Sequence, residues 1–151
     1  MLIATPKHWY SWDFVVRDEG EQAVGELKVS SRNGRGTIAI GGIVHQVRRE
    51  GLRGDFLLER EGSILARAAK PSAFMRTLTI EYEQRTYTLR ARTSLRREMV
   101  FFDGEIEAGT LAPKGHFPWR ACVDLPDGLP LELRMFVTWL TMMLWKRQAE
   151  S

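Results

Sequence analysis

The side chains best able to bind or react are an arginine-rich stretch, three scattered histidines and one cysteine. Between positions 85 and 97 lie Arg85, Arg90, Arg92, Arg96 and Arg97, with no acidic residue among them. A guanidinium is a planar fork that meets phosphate or carboxylate bidentately, so the chemistry on offer is anion recognition. Arg90 and Arg92 share a strand face, alternating with Leu89 and Ala91, and Arg96 and Arg97 carry the charge into a loop. Arg48, Arg49 and Arg53 form a second group beside another turn. Keeping an outward-facing wall soluble would use the same residues. If they bind, a lipid headgroup suits them better than single-stranded nucleic acid, because Tyr87 is the one aromatic interleaved with them.

His8, His45 and His116 lack the paired spacing of a metal site. Cys122, between Ala121 and Val123, reads as a small core residue with no neighbouring histidine motif to activate it. Glu59, Glu61, Glu81 and Glu83 cluster at hairpin turns, where solvation accounts for them. Gly34, Gly36, Gly41 and Gly42 belong to strand turns rather than to a strand-to-helix phosphate loop. No acid–base, metal or cofactor set emerges, and the expectation is a protein that binds rather than catalyses.

Short strands and tight turns position these residues. Alternation over Lys7–Asp18 places His8, Tyr10, Trp12, Phe14 and Val16 on one face of a strand. Turn signals at Asp18-Glu19-Gly20, Asn33-Gly34, Gly41-Gly42, Glu61-Gly62, Glu83-Gln84 and Asp103-Gly104 separate further strands. That makes about eleven strands in all, at the spacing of a sandwich or barrel. Ser-plus-basic loops before the hairpins at 72–92 and 94–111 give a faint internal echo.

Only residues 129–147 carry a helical pattern. Pro130 suits a first turn, and Glu132 with Lys146 and Arg147 matches the helix dipole. Leu133, Phe136, Trp139, Leu140 and Met143 belong to an apolar surface covering most of the circumference, leaving a narrow stripe of Arg134, Thr138, Thr141 and the Trp145 indole. The uncharged run is too short for a bilayer, since extending it brings in Arg134, Glu132 and Asp127. Such a helix must be enclosed, and a closed barrel of 11–12 strands threaded by it also removes exposed sheet edges.

The hairpin series VVRDEGEQAVGEL, FLLEREGSILARAAKPS and YEQRTYTLRARTSLRREMVFFDGEIEAGTLAPKG, followed by the helix LELRMFVTWLTMMLW, resembles the tubby C-terminal-like superfamily. That group includes tubby domains, phospholipid scramblases and LURP-one-related proteins, and the chain is closest in size to its small bacterial-type members. The resemblance implies a twelve-stranded antiparallel barrel around a hydrophobic C-terminal helix. It carries over no ligand residue: neither an acidic calcium loop nor a cationic phosphoinositide pocket maps onto this chain.

Composition agrees with a globular domain: 151 residues, 44% hydrophobic, 27% charged, net charge +3. One cysteine fits a reducing compartment, and MLIATPKHWY has no secretory pattern, so a cytoplasmic location is expected. The functional expectation is a binding or scaffold module, peripheral at an anionic membrane or a phosphoinositide-like headgroup through Arg85, Arg90, Arg92, Arg96 and Arg97. The alternative is a carrier or sensor of a small hydrophobic ligand held beside the helix.

Overall fold

The computed structural model describes residues 1–30, 34–51, 54–71, 77–116 and 119–150. Twelve strands precede one helix: β1 (Leu2–Pro6), β2 (Asp13–Arg17), β3 (Ala23–Val29), β4 (Gly36–Ile40), β5 (Ile43–Arg49), β6 (Phe56–Arg60), β7 (Ser63–Ala69), β8 (Thr77–Tyr82), β9 (Arg85–Ala91), β10 (Met99–Asp103), β11 (Ile106–Pro113), β12 (Ala121–Asp124) and α1 (Leu131–Glu150). Each strand pairs antiparallel with its neighbours in the chain. β1 pairs with β12 from Leu2↔Val123 to Ala4↔Ala121, which closes the meander into a barrel.

The strand absent from the sequence-based expectation is β1, whose Leu2, Ala4 and Pro6 face inward. The strand expected over Lys7–Asp18 begins only at Asp13. Before it the Lys7 amide donates to Asp13 O at 2.8 Å and the Asp13 amide to Ser11 Oγ at 2.9 Å. These bonds fold residues 7–12 into a loop, so the aromatic alternation there is not a strand pattern. The helix is shifted to 131–150, because the Pro130 carbonyl accepts from both the Leu133 and Arg134 amides and stands just outside its first turn.

Every side chain from Met135 to Lys146 is buried. A helix packed on one side only would show periodic exposure. Its contacts reach opposite walls: Trp139 Nε1 donates to Lys28 O at 3.0 Å, Trp145 Nε1 donates to Arg97 O at 2.8 Å, and the Phe56 ring lies 6.0 Å from Trp139. Leu133, Phe136, Trp139 and Leu140 are fully buried and Met143 nearly so. The mildly polar stripe is satisfied internally. Thr138 and Thr141 donate to the carbonyls four residues back, and Arg134 Nε donates to Leu129 O. No helix among the described residues is long and apolar enough to cross a membrane.

An up-and-down meander sends alternate connections to opposite ends. Four of the five hairpins at one end have two-residue turns, whereas the connections at the other end run six or seven residues. We call these the hairpin end and the loop end. Because β12 finishes at the hairpin end, α1 starts there and delivers its C-terminus to the loop end. Every second hairpin carries a bulge. Val24, Leu65 and Ala108 are each skipped by the ladder, and each is followed by a small residue, Gly25, Ala66 or Gly109.

Candidate anionic-surface interface

The C-terminal turns of α1 organise the loop end. Lys146 and Arg147 are consecutive, so they leave the helix about 100° apart and meet different walls. Lys146 Nζ sits 4.7 Å from the centre of the Trp12 ring, which packs 4.7 Å from Trp119. The Arg97 guanidinium lies 5.2 Å from Trp119 and 5.8 Å from Trp145. This ladder ties the β1–β2, β9–β10 and β11–β12 connections to the helix.

On the other wall the Phe56 ring is flanked by two guanidiniums, Arg49 at 5.0 Å and Arg147 at 5.4 Å. Lys70 belongs to the same group. Burial first, then the charges of Arg147 and Arg49, hold its ammonium below the usual lysine value. Arg147 is lowered in the same way by burial and by Arg49. Among the described residues, no carboxylate forms an ion pair with any of the three. A concentration of cation this unfavourable to itself is relieved by an incoming anion.

Charge is segregated between the two ends. The loop end carries Arg49, Lys70, Arg96, Arg97, Lys114, Arg120, Lys146 and Arg147 against Glu50, Asp55, Glu98 and Glu150. The hairpin end presents Asp18, Glu19, Glu21, Glu61, Glu83, Glu105 and Asp127 against Arg17, Arg60, Arg85 and Arg134.

The five arginines singled out by sequence do not form one patch. Arg85 opens β9 at the hairpin end and pairs with Asp103 at 3.0 Å. Arg90 lies on the outer wall, its guanidinium 4.5 Å from the Phe102 ring. Arg92 is held between Glu98 at 2.7 Å and Glu107 at 2.5 Å. Arg96 and Arg97 stand with the cations of the loop end, where Arg92 is neutralised by its two carboxylates. A seven-residue strand separates its two ends by roughly 20 Å, and strand neighbours supply the acids that the local sequence lacks. Of the second group, Arg48 pairs with Glu59 at 2.7 Å, Arg49 joins the Phe56 cluster, and Arg53 lies outside the described residues.

Tyr87 also departs from expectation. It points into the barrel at 3% exposure, while Trp9 and Tyr10 on the β1–β2 loop are the exposed aromatics among the described residues. Lys70 and Arg147 escaped sequence reading because one follows β7 and the other lies near the end of α1, far apart in the chain. The available signal was the basic pair ending the helix.

The hairpin end holds a different cluster. Glu132, in the first turn of α1, accepts from the Tyr82 hydroxyl and from Arg60 at 3.3 Å, and His45 Nε2 lies 3.7 Å away. His8 and His116 are exposed in loops, and Cys122 is half-buried on β12, so none of them joins His45. The barrel and its helix are consistent with the tubby-like plan. No protein-family model, curated protein or solved structure matches the chain.

Proposed function

We propose that the protein is a non-enzymatic binding module of the tubby-like type that sets its loop end against an anionic, phosphate-bearing membrane surface. The observation that carries this reading is the segregation of charge, with a cationic loop end opposite an acidic hairpin end. Such a field orients the molecule as it approaches a negative surface. Arg96, Arg97 and the Arg49–Lys70–Arg147 cluster supply the contacts, while Arg85 and Arg90 remain on the wall. The interior is occupied by α1, which argues against a carrier of hydrophobic ligands.

Vesicle co-sedimentation tests the reading. Binding should need anionic lipid and weaken with salt, since the screening length falls to about 8 Å at physiological ionic strength. Each basic residue near such a surface contributes about 1 kcal/mol, so Lys70→Gln with Arg96→Gln and Arg97→Gln should weaken binding by about two orders of magnitude. Arg85→Gln with Arg90→Gln should leave it nearly unchanged. Competition by soluble inositol phosphate separates recognition of a headgroup from general surface charge. Failure of the parent protein to bind anionic vesicles, or equal loss in both variants, would overturn the proposal.

A further inference from the structure

Three large apolar side chains protrude from the loop end and stay largely uncovered by the described residues. Trp9 is 76% exposed, Tyr10 70% and Leu95 92%. Trp9 and Tyr10 ride on the β1–β2 connection and Leu95 on the β9–β10 connection. The β11–β12 connection lies between these two around the barrel. The Trp12–Trp119–Arg97–Trp145 ladder lies beneath, and Lys146 faces Trp12 from the helix. The three side chains therefore stand on a base anchored to the core.

We propose that Trp9, Tyr10 and Leu95 insert into the headgroup–acyl boundary of an anionic bilayer and fix the barrel upright on its loop end. This rests on the reading above and specifies how the contact is made. Trp and Tyr favour that boundary because one part of the ring system is apolar and another hydrogen-bonds. Leu95 adds purely aliphatic surface, and Arg96 and Arg97 follow it directly to meet the phosphates.

The opposite end has exposed apolar side chains too, namely Met1, Ile43, Val44, Ile64 and Ile106. These sit among the acidic turns at Glu61 and Glu105, so an anionic surface repels that end. Charge complementarity therefore selects the loop end. Single-stranded nucleic acid suits the surface less well. Leu95 offers no ring for stacking, and Tyr10 meets Trp9 in an edge-on contact 5.3 Å between centres.

The test uses the full chain with phosphatidylcholine vesicles, with and without phosphatidylserine, carrying brominated acyl chains. On anionic vesicles, bromine should quench tryptophan emission, and most of that quenching should vanish in Trp9→Phe, which still inserts. Trp9→Ser with Tyr10→Ser and Leu95→Ser should lower partitioning about tenfold or more with an unchanged melting temperature, the loss expected when apolar anchors leave an interface. Binding without quenching at Trp9 would refute insertion and leave electrostatic docking standing. Absence of binding to anionic vesicles would refute both. Preference for an RNA oligonucleotide over vesicles would replace the bilayer with a nucleic-acid partner.

Discussion

His45 Nε2 lies 3.7 Å from Glu132 Oε2, while its Nδ1 faces the Ile38 carbonyl at 3.3 Å. A carbonyl only accepts, so that bond puts a proton on Nδ1. Nε2 is buried without a hydrogen-bond partner among the described residues and has Glu132 as its neighbour. The carboxylate thus accepts from Tyr82 and Arg60 on two strands, with His45 of a third beside it, and fastens the first turn of α1 to the barrel wall. Glu132→Ala should cost about 2–3 kcal/mol in urea unfolding, as for a largely buried charged hydrogen-bond acceptor. Arg60→Ala should change stability by less than about 1 kcal/mol, because that side chain is 42% exposed and its pair is screened.

The same cluster sets a pH dependence. Burial, and after it the hydrogen bond to Glu132, raises the Tyr82 phenol above its ordinary value. The folded protein then holds this proton more tightly than the unfolded chain does. Its contribution is complete below the unfolded phenol pKa of about 10 and is lost as pH rises above it. Stability measured on the alkaline side should fall with pH, and Tyr82→Phe should flatten that fall. An unchanged alkaline slope in the variant would count against the assignment.

Trp139 and Gly36 form one packing unit. A Cβ on Gly36 would stand 2.2 Å from Lys28 O and 2.3 Å from Trp139 Nε1, across the hydrogen bond that joins them. Gly36→Ala should destabilise by about 1–3 kcal/mol, and Trp139→Ala by about 3–5 kcal/mol. Both changes disturb the same bond, so their effects should be less than additive in a double-mutant cycle. Additivity would show that the two sites are independent.

The β8–β9 turn is built from residues that suit it poorly. Glu83 and Gln84 hold φ of 47° and 65°, a region in which side chains crowd the backbone. The β4–β5 turn reaches similar angles with Gly41 and Gly42. Glu83→Asn with Gln84→Gly should therefore raise stability by about 1 kcal/mol, read as a higher melting temperature. A lower one would mean that the two long side chains do more than turn the chain.

Sequence periodicity revealed the barrel class and the enclosed helix, because both leave local signals: turn pairs between short strands, then an uncharged run from Met135 to Trp145. β1 escaped because five residues ending in proline carry little pattern of their own. Its identity comes from Ala121–Val123, more than a hundred residues away. The internal echo was placed on adjacent hairpins, whereas the structure repeats its bulge at Val24, Leu65 and Ala108, one hairpin in two. The arginine patch dissolved for a related reason. Distance along one strand is distance between the barrel's ends, and a stretch of sequence does not disclose where Glu107 or Asp103 will stand.

The closing strand pair and the central helix have a shared consequence for biosynthesis. β12 seals the cylinder against β1, and α1 follows it in the chain. Translation proceeds at about 5–20 residues per second, so for several seconds the emerging strands can pair with chain neighbours but not close. During that interval the nascent sheet has two bare edges and an uncovered apolar face, the features that invite mispairing between chains. Shelter by a chaperone would matter most in that window. The final 30 or so residues then convert an open, sticky ribbon into a sealed molecule in a single step.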